Sequence, residues 1–431
     1  MRVFTVIVTL LGVGNAGAMS APDINTDVES VVAAGLTHSG LQNSEISVKP
    51  EISGDITTSL RYTLMPKFTA VADGEIYVDN PNERNYDSIN GPWQSNRHGE
   101  ALLSEAYLDF PWLAGYWRVG KQQVVWGQAD GLKVLDVVNP QDYREFNLDE
   151  FEDSRIPLWM VNAEFNVTDD STLQVLIIPD NTYSKLADTG TPYEITSSKF
   201  RPALGASPVP VMVHDIERPE RQPEFGTRYR MFYHGWDLTL NYLYHRQDSP
   251  VIYRRFNAGQ VDVTPMYKLN NLFGATASNA FGDWVLRMEA GYNTDTYQLR
   301  TSLDDDGIAV SPEFSSVIGL DYRGFTDWFL SYQLFQSTLT DYTSDIVRNR
   351  TRVQQTLLVR RSLFNETAEL EFFALYSDED QDGQFRTEAS YLVSDALRVW
   401  AGIDLFYGDA DGQFGQFDET DRAVVGLEFG F

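Results

Sequence analysis

Asp378, Asp380, Asp382 and Gly383 have the D-x-D-x-D-G spacing with which an oxygen-ligand calcium loop opens. Such a loop also needs a bidentate acid at its twelfth position. Counted from Asp378 that place holds Ala389, with Glu388 one residue short. The run therefore reads as an acidic hairpin turn, and Asp304–Gly307 and Asp409–Gly412 read the same way. The five histidines, His38, His98, His214, His234 and His245, stand in no HExxH and no serine-hydrolase arrangement. The absence of cysteine excludes thiol nucleophiles, thiolate metal sites and disulfides. These patterns predict no catalytic centre, no metal site and no cofactor.

Chemistry of another kind comes from ionisable residues placed within segments whose alternate positions are apolar. They are Glu105, Asp109, Arg118, Arg228, Arg230, Arg287, Glu289, Asp321, Arg323, Arg352, Arg360, Arg398, Asp404 and Glu428. Around Arg287 and Glu289, the residues Trp284, Leu286, Met288, Ala290 and Tyr292 share the opposite face. Trp236, Leu238, Leu240, Tyr242 and Tyr244 alternate with Asp237, Thr239, Asn241 and His245 in the same manner. Leu397, Val399, Ala401, Ile403 and Leu405 do so around Arg398 and Asp404. Period-two patterning over about ten residues is the signature of a membrane-spanning strand. A midplane Arg or Lys facing lipid costs about 2–4 kcal/mol, so the charged face must line a lumen. The charges read either as a selectivity field or as a structural network of cross-strand pairs.

Other features agree. Arg2, the apolar stretch Val3–Val13 and Ala16-Gly17-Ala18 predict a secretory leader over residues 1–18, with a periplasmic segment over 19–27 and the barrel over 28–431. A formal net charge of −29 excludes nucleic acid as a partner. Aromatics at 13% exclude a disordered acidic chain, so the acid must lie where water reaches it. Connections alternate between short, as at His234–Gly235 and Phe281–Asp283, and long, as at Asp79–Gly99, Gly127–Pro157, Asp180–Glu224, Gln247–Pro265, Thr294–Pro312 and Gly408–Arg422. Short periplasmic turns and long external loops characterise outer-membrane barrels. Trp236, Trp284 and Trp328 follow short turns and form an interfacial girdle. The last strand ends Val425, Leu427, Phe429, Phe431, and its terminal aromatic resembles the signal read by the barrel-assembly machinery. The expectation is an all-β chain forming one transmembrane antiparallel β-barrel of about 18 strands, with 16 as the fallback. It would sit in the outer membrane of a Gram-negative bacterium, with the lipid bilayer and lipopolysaccharide as surroundings. Its outer acidic turns would hold divalent ions loosely.

The segment Gly127–Pro157 follows a strand expected to end at Trp126, and carries Leu132, Val134, Leu135, Val137 and Val138. A long loop with its own apolar positions is usually functional. It is expected either to fold inward as a constriction or to cap the rim. Asp130, Asp136, Arg144, Asp149, Glu150, Glu152, Asp153 and Arg155 are the candidate constriction residues, with Arg144 and Arg155 set against the acids around them or against Glu105 and Asp109.

The run VVWGQADGLKVLDVVNPQDYREF, then FEDSRIPLWMVNAEF, and later MYKLNNLFGATASNAFGDWVLRMEAGY, resemble an uncharacterised proteobacterial family of outer-membrane barrels classed by a domain of unknown function. The resemblance implies a partnership with an inner-membrane RND-type exporter and a periplasmic lipid-carrier-like protein. It thereby implies transport of hydrophobic or lipid-like molecules, and it supplies no catalytic residues. The alternatives are a passive porin for small hydrophilic solutes and a structural or adhesive barrel.

Overall fold

The computed structural model describes residues 23–36, 46–60, 68–78, 94–96, 99–149, 154–187, 190–201, 210–214 and 222–430. The leader, Glu150, Glu152, Asp153 and Phe431 lie outside the described residues. Alternation predicts strands, and strands are what form. The wall begins with β1 (Asp23–Leu36), β2 (Ile46–Leu60), β3 (Phe68–Val78), β4 (Gly99–Trp112), β5 (Gly115–Gln122) and β6 (Leu158–Thr168). It continues with β7 (Ser171–Ile178), β8 (Glu224–Tyr233), β9 (Trp236–Arg246), β10 (Leu269–Phe281), β11 (Trp284–Leu299) and β12 (Ile308–Tyr322). The rest are β13 (Trp328–Leu339), β14 (Thr351–Leu363), β15 (Ala368–Ser377), β16 (Asp382–Ser394), β17 (Leu397–Tyr407) and β18 (Asp421–Gly430). β1 draws its first residues from the segment 19–27 expected to precede the barrel, pairing Asp23 with Thr57 of β2.

Each strand pairs antiparallel with the next, for example Gly115 of β5 with Phe165 of β6 and Glu224 of β8 with Ile178 of β7. β18 pairs with β1, Phe429 opposite Val28. The order of pairing thus runs through eighteen strands and returns to its start. In lipid every backbone N–H and C=O must be satisfied within the protein, and continuous ladders do this.

The faces separate as the alternation requires. Leu240, Phe273, Ile318 and Val425 stand exposed on the outer surface, while Asn241, Thr276, Glu289 and Gln333 are buried on the inner one. At the short-turn end the tryptophans sit among other rings. Trp236 lies 6.0 Å from Phe281, Trp284 4.3 Å from Tyr322, and Arg361 stacks 4.9 Å over Trp328. The turn His234-Gly235 takes positive φ at both residues, the primed turn whose twist suits a two-residue hairpin.

Three boundaries differ from the sequence reading. β5 ends at Gln122 rather than Trp126, because the chain there turns into the lumen. The connection expected over Thr294–Pro312 shrinks to residues 300–307, since β11 continues past an irregularity between Asn293 and Thr296. The connection after β9 contains its own hairpin, Val251–Asn257 against Gln260–Met266, which Val211–Val213 joins in parallel.

Candidate functional site

After Gln122 the chain enters the barrel, and Asn139 holds both ends of the excursion together. The Val124 N–H donates to Asn139 Oδ1 (2.8 Å), and Asn139 Nδ2 donates to the Ile156 carbonyl (3.0 Å). Inside, Val124, Trp126, Leu135 and Val138 form a buried core with Leu158 and Met160 of β6, Leu176 and Ile178 of β7, Leu243 of β9 and Leu272 of β10. Val134 and Val137 pack against it. Glycines make the recess. A methyl group on Gly274 would stand 2.6 Å from Leu135, one on Gly291 3.2 Å from Leu135, and one on Gly226 3.0 Å from Trp126. Trp126 Nε1 donates to Gln174 Oε1 of β7 (2.9 Å), so the buried indole keeps its hydrogen bond.

The segment then crosses the lumen. The Asp130 carboxylate receives Arg287 of β11 (2.5 Å) and Gln333 of β13 (2.9 Å), and the Gln128 N–H donates to Glu289. At Gly131 a methyl would meet the Phe373 ring of β15 at 2.5 Å. Glu145 reaches Arg422 of β18 (2.8 Å). A second core forms there. Phe146 lies 4.6 Å from Phe417 and 5.5 Å from Phe414, among Leu132, Leu148, Tyr193, Leu358, Phe373, Leu375 and Phe406. Three long connections, after β5, β7 and β17, thus share one apolar cluster. Ser198 and Asp411 tie the latter two together (2.7 and 2.8 Å).

Charged residues named from the sequence fall into two groups. On the wall, Arg118 binds Asp109 (2.8 Å), Arg287 binds Asp321 (2.9 Å), and Arg230 binds Asp237 (2.9 Å). Arg352 binds Glu379 (2.6 Å) and Arg360 binds Glu371 (2.5 Å). Arg398 lies between Glu388 (3.0 Å) and Glu428 (3.8 Å), and Asp404 between Arg422 (2.6 Å) and Arg386 (3.5 Å). Arg228 donates to the Val125 carbonyl (3.0 Å), Glu105 accepts the Gln123 N–H (2.9 Å), and Arg323 stacks 4.8 Å over Phe329. In the segment, Arg144 pairs with Asp142, two residues away, and Arg155 with Asp136 (2.9 Å). Both partners are acids of the segment itself, and the pairing of Arg155 with Asp136 joins its two ends.

The turn acids also have protein partners. Asp382 accepts the N–H groups of Phe414 (2.6 Å) and Gly415 (3.2 Å), Asp380 binds Lys199, and Asp306 binds Arg255 (2.5 Å). Phe429 faces outward on β18, 42% exposed. Sequence reasoning missed Asn139, Glu145, Arg422 and the glycine recess. Glycines at inward positions of β8, β10 and β11 were the available signal, since strand glycines mark close approach.

Two cavities flank the crossing. One, of about 410 Å³, is walled by Leu132, Phe146, Tyr193, Phe200, Phe335 and Phe414, with Ser315, Gln354 and Arg352 from the wall strands. The other, of about 420 Å³, is polar, with Asn139, Gln141, His245, Asn270, Asn293 and Gln298 around it. Lys133, Tyr143 and Ser249 border both. Burial lowers the Lys133 ammonium to about 8, with Asp136 at 3.6 Å opposing that shift. Burial also raises the Asp248 carboxyl well above its ordinary range.

The chain is similar to solved structures of bacterial barrels. Acinetobacter baumannii OccAB4 matches at 8% identity and a TM-score of 0.55, over 97% of this chain and 100% of that one. Pseudomonas aeruginosa OccK2 (OpdF), solved with glucuronate, matches at 9% and 0.54, over 95% and 98%. Acinetobacter baumannii OccAB1 matches at 9% and 0.53, over 95% and 96%. These likenesses show the fold, a large antiparallel β-barrel shared with solved bacterial barrels. No curated protein matches the sequence. A family model matches residues 10–413, and the chain belongs to that family, described as a protein of unknown function (DUF1302).

Proposed function

We propose that this barrel is a channel for hydrophobic or lipid-like molecules, working with an inner-membrane RND-type exporter and a periplasmic carrier. The observation that supports this is the cavity walled by Leu132, Phe146, Tyr193, Phe200, Phe335 and Phe414 inside the lumen. A sieve for hydrophilic solutes gains nothing from apolar surface along its path, whereas a hydrophobic cargo is held by it. The segment after β5 then acts as a gate, because it spans from β10 and β11 to β15 and β18. A second reading, a passive porin for small hydrophilic solutes, draws on the cross-strand ion pairs of the wall.

Excision of residues 127–157, with both flanking strands kept, separates the two readings. Under the proposal the intact barrel conducts weakly in planar bilayers and swells liposomes little in sugar solutions, and excision raises conductance several-fold. High conductance and free sugar passage through the intact barrel would favour the passive porin. No change on excision, with the barrel shown to be folded, would remove the gating role.

A further inference from the structure

The two cavities lie side by side across the inserted segment, and Lys133, Tyr143 and Ser249 form their common border. Their linings differ in balance. Rings and aliphatic chains from three connections join serines and glutamines around one, and amides, hydroxyls, His245 and the acids Asp136, Asp248 and Glu313 surround the other. Each lies within the ~300–1,000 Å³ typical of small-molecule sites, which are apolar with a few convergent polar groups.

The ionised groups around them are already matched. Asp136 holds Arg155 at 2.9 Å, Glu313 holds Arg348 at 2.9 Å, and Arg352 holds Glu379 at 2.6 Å. Burial raises the Asp248 carboxyl well above its ordinary range, which disfavours its charged form. What remains unmatched is hydrogen-bonding capacity. His245 is 7% exposed and its Nε2 has no protein partner, and Asp136 Oδ1 in the same polar cavity has none either. Asn147 Oδ1 is in the same position beside the apolar cavity. Buried polar atoms in folded proteins are almost always hydrogen-bonded, so orphans on residues that line a cavity mark where a small shift of the side chain would admit a partner.

We infer that the paired cavities form one binding site for an uncharged amphiphile, its apolar body among the rings and a hydroxyl or amide group donating to the polar side near His245. An anionic head is disfavoured, because it would meet Asp136 and Glu313 with their counter-charges already engaged. This rests on the channel reading and names the class of cargo.

The test uses the full-length barrel in lipid nanodiscs, with empty nanodiscs as background and naphthyl fluorescence as the readout. The probes are 6-(2-naphthyl)hexan-1-ol, 2-hexylnaphthalene and 6-(2-naphthyl)hexanoate. The alcohol should bind saturably at one per barrel, about tenfold more tightly than either of the others, as one added buried hydrogen bond implies. Ser315→Trp, which fills the apolar cavity from β12, should abolish saturable binding in a barrel shown to be heat-modifiable. His245→Phe should erase the advantage of the alcohol over the hydrocarbon and leave the hydrocarbon unaffected. Absence of saturable binding, equal binding to the Ser315→Trp barrel, or preference for the carboxylate would overturn the inference. Conductance of the same preparation keeps the two claims apart. Saturable binding in an electrically silent barrel, with or without residues 127–157, would break the channel reading alone; conductance without saturable binding would break the site alone.

Discussion

The two halves of the lumen are built on different physics. Toward the long connections the inserted segment fills the space with Trp126, Leu135 and Phe146, packed on apolar and glycine positions of the inner wall. Toward the short turns the same strands carry arginine and acid in cross-strand pairs. Exposure marks the change. Side chains of Arg155 and Arg422 are 10% and 13% exposed, whereas those of Arg360 and Arg230 are 46% and 58% exposed. One half is a dry core that happens to lie inside a barrel, and the other is a wet vestibule. The difference teaches that charge in a lumen does not by itself mean passage; the obstruction lies where the inserted segment packs against the wall.

The largest effect belongs to the dry half. Leu135→Ala should destabilise the inserted segment by about 2–5 kcal/mol, the range for deleting a buried leucine side chain. Planar-bilayer recordings should then show frequent openings absent from the parent, and quiet recordings would mean that Leu135 does not anchor the segment. Gly274→Val attacks the same contact from the wall, where a Cβ meets Leu135 at 2.6 Å. Overpacking of this kind costs about 1–3 kcal/mol, and protease sensitivity of the segment in otherwise intact barrels should report it.

Lys133, at the border of the two cavities, gives a prediction of intermediate size. Its folded-state value of about 8 lies below the ordinary 10.5. Between those values the unfolded chain binds more protons than the folded one, so this group makes folding more favourable as pH rises from about 8 to 10.5. The charge itself is lost from the folded lumen as pH passes about 8. Cation–anion selectivity, read from reversal potentials, should shift with a midpoint there, and Lys133→Met should flatten the titration. The smallest effect is in the wet half. Arg360 and Glu371 are water-exposed, and a double-mutant cycle on them should give a coupling of only about 0–1 kcal/mol.

The wall was legible because its rule is local. Whether Leu286 or Arg287 faces lipid is settled by parity along one strand, and the neighbouring Trp284 and Glu289 repeat the message. The contents of the lumen obey no local rule. Trp126 continues the pattern of β5 in sequence, yet leaves the wall because Asn139, thirteen residues later, captures the backbone at Val124. Arg144 takes Asp142 two residues before it, whereas Arg155 had many acids nearby in the chain and only the closure of the excursion selects Asp136. The recess depends on Gly226, Gly274 and Gly291 standing on three different strands, a coincidence of height that one sequence cannot display.

The dry core leaves a mark on the wall strands that enclose it. On β7, Leu176 and Ile178 point inward to the core while Ile177 points outward, 42% exposed on the lipid-facing side. The stretch Leu173–Ile178, LQVLII, is therefore apolar on both faces toward its end, with no charge and no proline. Before the barrel exists, such a hexamer has the composition of a self-stacking β-segment. The same residues that seal the lumen in the finished protein are thus a hazard to the unfolded chain in transit, and they set a premium on shielding that stretch until β6 and β8 take their places beside it.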